Sequence, residues 1–311
     1  MTLAACLRLL ASLVILGLVW WQIGAPEAAA RLAEAHPGWL LAGLAALWAQ
    51  TLLSAWRWRL VGYALGVMIA PARALSEYFL AQLVNQTLPG GVLGDLSRAW
   101  RSAQGAGFAR AGGAVLAERV LGQVALMALL VAGLVWAARA PGQIRVPAEV
   151  LIPAGLVLGL LIAGLGVVLL MPRLAQAGRA LLPAGVMLPQ LALSLGAAAL
   201  NLLAFDFAAR ATGTTLPPAA IAVLVPLILL TMLVPVTVSG WGLREGAAAA
   251  LFPLAGASDA AGLAASTAFG LIFLISTLIG TGVCLAHGAI AGQASTMRPA
   301  LRPSRARPEQ R

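Results

Sequence analysis

The chain has 311 residues, 61% of them hydrophobic and 10% charged, with a mean hydropathy of +0.94. About a quarter of the residues in a soluble domain are charged, so this composition excludes a water-soluble globule and puts the chain in a bilayer. All 20 basic residues are arginine, set against 10 acids for a formal charge of +10; the arginines flank apolar runs, where they orient spans and meet anionic headgroups, so no nucleic acid partner is implied.

A helix needs about 20 apolar residues to cross the hydrocarbon core. Leu7 to Ile23 is the first candidate, closed by Trp20 and Trp21. Arg8 ahead of an apolar run resembles a signal peptide, but no small-residue cleavage site leads into a soluble domain, and this is read as a retained helix. Pro37 to Trp56 is the second, ending in the Trp56-Arg57-Trp58-Arg59 girdle, read as an interfacial boundary. Ala74 to Gln86 is too short to span before Pro89, Gly90 and Gly91, and with Asp95 to Ala103 reads as a re-entrant pair. Spans follow at Ala114 to Trp136, Val146 to Leu170, Leu188 to Ala209 and Pro217 to Val238. Ala247 to Ala257 is a shorter one, interrupted by Pro253, and Ala260 to Ile290 closes the set. Residues 1–296 form the membrane domain, and 297–311 a basic tail expected to be disordered.

The expectation is thus an all-α polytopic membrane protein of about eight transmembrane helices with Gly/Pro-broken re-entrant segments. With both termini cytoplasmic, as in a bacterial inner membrane, sixteen of the 20 arginines fall inside and four outside. That asymmetry favours this topology over its inverse. The pairs Gly62/Gly66 and Gly155/Gly159 have the spacing of close helix contacts.

Two islands carry charge into this apolar background: Asn85 to Arg101 and Val234 to Gly246. Broken backbone and ionisable groups at membrane depth are tolerated where they face protein or a water-filled cavity. The first reads Pro-Gly-Gly-x-x-Gly-Asp with Arg98 following, the second Ser-Gly-Trp-Gly-x-Arg-Glu. Their likeness, about 150 residues apart, suits a transporter built from two repeats, an inverted repeat among the arrangements this allows. Gly90, Gly91 and Gly94 let backbone amides approach a ligand, and a helix starting near Asp95 would offer free amides to an anion. Arg98 lies on the same face as Asp95. One reading is an arginine and amide cradle for a lipid phosphate; the other is a capped helix with Asp95 as N-cap and Arg98 as its partner.

Glu118 and Arg119 open the span from Ala114, and Arg244 and Glu245 close the second island. Neighbours on a helix point about 100° apart, so each is expected to find partners across the bundle; snorkelling to headgroups is the alternative for the arginines. Asp206 and Arg210, four apart, read as a helix-end ion pair. Cys6 and Cys284 read as small buried hydrophobes. His36 and His287 are isolated, so no zinc cluster or other cofactor is implied. GxSxG, HExxH and P-loop patterns are missing and the expectation is not an enzyme. An intramembrane aspartyl protease built on Asp95 and Asp206 is only a loose match.

NQTLPGGVLGDLSRAW, AERVLG (Ala117 to Gly122) and SGWGLREGA (Ser239 to Ala247) resemble the three signature segments of the lysylphosphatidylglycerol synthase transmembrane family, a flippase-like domain. The resemblance runs over about residues 5 to 290. It implies a lipid translocase without the soluble aminoacyl-transferase domain that fusion members carry, and standalone members include proteins linked to hopanoid pathways. The family's recurrent polar positions fall on Asn85, Asp95, Arg98, Glu118, Arg119, Arg244 and Glu245. Ser239 stands where many relatives have glycine.

The functional expectation is a translocase that moves or binds a lipid with an anionic or polar headgroup: a phospholipid, a polyprenyl-linked lipid or a hopanoid-pathway lipid. Substrate-binding residues would be Asn85, Gly90, Gly91, Gly94, Asp95, Arg98, Glu118, Arg119, Gly240, Gly242, Arg244 and Glu245. Arg98 and Arg244 would hold the headgroup, with the charges of both islands meeting in one cluster. The alternative is a non-catalytic membrane scaffold or accessory subunit that docks a lipid-biosynthesis enzyme.

Overall fold

The computed structural model describes residues 3–23, 25–88, 92–103, 107–139, 183–234 and 236–296, with 155 and 159 standing alone between them. All secondary structure among the described residues is helical, so the chain is an all-α polytopic membrane protein. The helices are α1 (Leu3–Ile23), α2 (Ala25–Ala33), α3 (Pro37–Ala64), α4 (Pro71–Thr87), α5 (Leu93–Ser102) and α6 (Phe108–Arg139). They continue with α7 (Ala184–Ala211), α8 (Pro218–Leu230), α9 (Leu243–Leu251) and α10 (Asp259–Thr296). The expected span Val146 to Leu170 and the tail 297–311 lie outside the described residues.

Helix ends follow local chemistry. Pro37 starts α3 with its fixed φ, and the His36 ring accepts from Gly38 N at 3.2 Å. The same helix stops at Gly66, whose φ of +77° is left-handed. The Gly62/Gly66 spacing is therefore a termination signal and not a helix contact: a Cβ on Gly62 would meet Val67 O of its own following loop.

Among the described residues, four helices are long and apolar enough to cross a membrane: Pro37–Ala64, Phe108–Arg139, Gly185–Ala211 and Asp259–His287. Leu7–Ile23 with Pro26–Ala33 makes a further candidate, bent by 98°. Two expected spans are shorter than read. The helix expected over Pro217 to Val238 stops at Leu230 and passes through a 3₁₀ turn (Thr231–Leu233) to Val234, which is extended at φ −75°, ψ 113°. Val234 precedes a proline, whose ring disfavours helical backbone before it. With 13 residues, α8 covers roughly 20 Å at about 1.5 Å per residue, short of the roughly 30 Å core. The segment Ala247 to Ala257 likewise resolves into the end of α9 and a 3₁₀ turn (Phe252–Ala255), stopped by Gly256 at φ +78°.

Helices α4 and α5 pack against each other as an antiparallel hairpin, as the re-entrant reading expects. Near its open end, Arg101 Nε donates to Glu77 Oε2 at 2.5 Å and Arg73 Nη2 to Arg101 O at 2.6 Å. Toward the break, α5 lies so close to α4 that a Cβ on Gly94 would sit 2.0 Å from Ala81 O. At 10 residues, α5 is about 15 Å long and too short to cross.

The main core joins α3, α6, α7, α8, α9 and α10. Leu47, Leu130, Phe205, Leu224, Ile228 and Phe252 are fully buried in it. Phe205 packs on Phe269 with ring centroids 5.2 Å apart and on Phe252 at 6.4 Å. A smaller cluster of Trp58, Val61, Ala74 and Val115 ties the α4–α5 hairpin to α3 and α6. Leu13, Trp21 and Leu41 point outward, as a lipid-facing surface requires.

Candidate functional site

Asn85, in the last turn of α4, organises the first island. Its Oδ1 accepts from Gly94 N at 2.8 Å, capping α5 from the neighbouring helix. Its Nδ2 donates to Asp95 Oδ2 at 3.1 Å. Val92 occupies the N-cap position of α5, and Asp95 lies at the third helical residue. Asp95 is therefore no N-cap, and the Gly94 amide is already engaged by a side chain. That takes the Gly94 amide out of the expected phosphate cradle, while Gly90 and Gly91 lie outside the described residues.

Three guanidinium groups meet two carboxylates here. Arg98 Nη2 donates to Asp95 Oδ1 at 3.1 Å and to Glu118 Oε2 at 3.0 Å. Arg119 closes on Asp95 Oδ2, and Arg57 on Glu118 Oε1. Tyr78 donates its hydroxyl to the same Glu118 oxygen at 3.1 Å. The Arg98 guanidinium lies between the Trp58 and Tyr78 rings, 4.5 Å from each centroid. Glu118 is 0% and Arg98 1% exposed. A burial this complete is tolerated only because each carboxylate oxygen holds a cationic donor.

The expectation of Arg57 as a boundary anchor is corrected: α3 runs on to Ala64 and carries Arg57 inward, 6% exposed. Gly122 makes room for it, since a Cβ there would come 3.1 Å from Arg57 Nη2. A sequence signal existed. Gln50, Ser54 and Arg57 fall at i, i+4 and i+7, a polar stripe on an apolar helix. Arg98, Arg119 and Arg244, expected among the topogenic charges, are all three held in ion pairs. On the expected topology twelve arginines against four would remain.

The second island turns on Ser239, Gly240 and Gly242, at φ +50°, +78° and +89°. Glu245, again the third residue of a short helix, reaches back to accept from Gly242 N at 2.7 Å. Its other oxygen takes Arg244 Nη2 at 2.5 Å and Ser266 Oγ at 3.2 Å. The expectation that these neighbours find partners across the bundle is corrected in part for Arg244 and Glu245, which pair directly while both also bond Ser266 of α10. It holds for Glu118 and Arg119, which do not pair with each other. Arg244 stacks near Trp241 and Phe269, 5.0 and 5.4 Å from their centroids.

A cavity of about 320 Å³ opens beside the first cluster. Arg57, Asp95, Arg98, Glu118 and Arg119 are its charged lining residues, three cations against two anions. Leu126, Leu229, Met232, Phe269 and Phe273 supply an apolar wall, and Ser239 and Thr237 of the second island reach its edge. Arg244 and Glu245 are not part of the lining, so the expected single cluster of both islands is corrected to two, with Phe269 between Arg244 and the cavity. Asn85 lines the cavity too. Gly94 sits in the α4–α5 contact, Gly240 and Gly242 shape the second turn, and Gly90 and Gly91 lie outside the described residues.

Asp206 and Arg210 form the expected helix-end pair at 2.7 Å. Among the described residues, no group of three or more His, Cys, Asp or Glu converges in a way that could hold a metal. Arg98 lines the cavity with its Nε and Nη1 unpartnered among the described residues. A planar guanidinium with free donors, in a site of surplus positive charge, is suited to an oxyanion.

A sequence model described as the lysylphosphatidylglycerol synthase TM region matches residues 7–280, and the chain belongs to that family. No curated protein and no solved structure matches it.

Proposed function

We propose that this member of the lysylphosphatidylglycerol synthase TM region family binds a lipid by an anionic headgroup in the α3–α6 cavity and passes it across the bilayer. One observation carries the reading: the cavity's charged lining sums to one positive charge, with Arg57 and Arg98 buried and Arg119 half-exposed. A phosphate group would supply the balance through Arg98, with Arg57 and Arg119 adjoining. The wall of Leu126, Leu229, Phe269 and Phe273 suits an acyl or polyprenyl chain. Two half-length elements, the α4–α5 hairpin and α8 to α9 with its glycine turn, border this space from the two halves of the chain, as breaks do in carriers that alternate access. No covalent step enters this reading. It includes a bacterial inner membrane and cytoplasmic termini, supported by the arginine asymmetry.

The test is reconstitution of the purified chain in liposomes holding a headgroup-labelled anionic phospholipid, with externally added dithionite reporting the leaflet. Protein-dependent loss of the protected pool, abolished by Arg98→Gln at equal reconstitution, is the expected result. Tight lipid binding without leaflet exchange would overturn translocation and favour the docking scaffold. Exchange unaffected by Arg98→Gln would overturn the site.

A further inference from the structure

Beside the charge cluster the cavity has a second wall of neutral amides: Gln50, Gln82, Gln86, Gln123 and Asn201. Several of these groups are buried without partners among the described residues. Gln86 is 5% exposed, and both its amide nitrogen and its oxygen are unpartnered. Gln123 Oε1, Ser194 Oγ and Thr237 Oγ1 are in the same condition, with Ser194 and Thr237 only 1% and 4% exposed. Thr51 Oγ1 donates to Gln82 Oε1 at 3.2 Å, which leaves the Gln82 Nε2 for a ligand, whereas Gln50 is engaged at both ends, by Ser54 and by Thr51. Native interiors rarely leave buried amides unpaired, so this wall calls for a ligand that both donates and accepts.

Resting on the anionic-headgroup reading above, we propose that the headgroup is a phosphate ester bearing neutral hydroxyls, a polyol or sugar, and not one bearing an amine. A carboxamide presents a donor and an acceptor side by side, which matches adjacent hydroxyls. An ammonium group finds no counter-charge here. Asp95 Oδ1 is engaged by Arg98, and Oδ2 by Arg119 and Asn85. Glu118 Oε1 is engaged by Arg57 and Tyr78, and Oε2 by Arg98. An amine would add positive charge to a lining that already has a surplus of it. The headgroup would lie with its phosphate at Arg98 and its hydroxyls along Gln86, Gln123 and Asn201.

The experiment is competition binding to the full chain in nanodiscs, read by native mass spectrometry, with four lipids of identical acyl chains. These are phosphatidylinositol, phosphatidic acid, phosphatidylethanolamine and lysylphosphatidylglycerol. Phosphatidylinositol is expected to exceed phosphatidic acid by about tenfold, the worth of one or two hydrogen bonds, and the two amine lipids to rank below both. Gln86→Met, nearly isosteric, should bring the phosphatidylinositol to phosphatidic acid ratio toward one while thermal stability is kept, because no described partner is lost. Asn201→Leu provides the same readout should Gln86→Met fail to fold. Arg98→Gln should weaken both anionic lipids together. Equal binding of the two anionic lipids, unmoved by either amide variant, would overturn the hydroxyl proposal and leave the anion site standing. Preference for lysylphosphatidylglycerol or phosphatidylethanolamine would overturn both.

Discussion

Arg57 of α3 and Glu118 of α6, 61 positions apart in sequence, form a buried ion pair through Arg57 Nη2 and Glu118 Oε1. Glu118 also holds Arg98 of the hairpin, so one carboxylate joins two long helices to the broken segment between them. Removing one member of a buried pair strands the other's charge, which typically costs about 3–5 kcal/mol. Arg57→Gln and Glu118→Gln should each lower the thermal midpoint in detergent by an amount of that order. The double variant should lose less than the two losses added, because Glu118→Gln already removes the partner that Arg57 serves. Strict additivity would show that the two side chains do not meet.

Glu118 and Arg244 stand in the opposite relation. Among the described residues no hydrogen-bond partner is common to them: Glu118 takes Arg57, Arg98 and Tyr78, while Arg244 takes Glu245 and Ser266. Sites without shared partners usually add within about 0.5 kcal/mol. Glu118→Gln combined with Arg244→Gln should therefore give the sum of the single losses in the same assay. A coupling well beyond that margin would mean that the two islands share one charge cluster after all.

The first cluster was legible because charge is so rare in this chain that Asn85, Asp95, Arg98, Glu118 and Arg119 stood out against an apolar background. Arg57 was hidden by its surroundings, since a Trp-Arg-Trp-Arg run has the appearance of an interfacial belt whether or not the helix continues past it. The half-length α8 was hidden for another reason. Hydropathy does not register a break made of Val234, a proline and Val236, all apolar or nearly so. The Arg244–Glu245 pair escaped the 100° rule because Glu245 is drawn back to the Gly242 amide at a helix start, where the long Arg244 side chain can fold over it.

The α4–α5 hairpin depends on backbone contact at Gly94. A Cβ there would lie 2.0 Å from Ala81 O and 2.7 Å from its carbonyl carbon, and backbone atoms cannot swing aside. Gly94→Ala should force the helices apart and cost at least the roughly 1–3 kcal/mol of an overpacked core. It should also reduce lipid binding, since Asp95 and Arg98 ride on α5. Gly112 is the control: it lies within α6 with nothing within 4 Å of a built Cβ. Gly112→Ala should be neutral or stabilise by up to about 1 kcal/mol through helix propensity. Equal effects of the two changes in thermal unfolding would remove the close-approach argument.

Ser239 is the one non-glycine residue with positive φ among the described residues, at +50°, within a turn whose Gly240 and Gly242 are also left-handed. An L residue in that region costs roughly 1–2 kcal/mol from crowding of Cβ against the carbonyl. Glycine escapes that cost but gives up about 0.5–1 kcal/mol through the freedom it gains when unfolded. The difference predicts that Ser239→Gly raises stability by about 0.5–1 kcal/mol, whereas Ser239→Val, β-branched and poorly suited to positive φ, lowers it. The pair separates backbone from side chain, because both variants remove the hydroxyl. Opposite shifts of the thermal midpoint are expected. If both variants lose stability equally, the Ser239 hydroxyl and not the turn geometry sets the preference, and the strain assigned to the second island is not there.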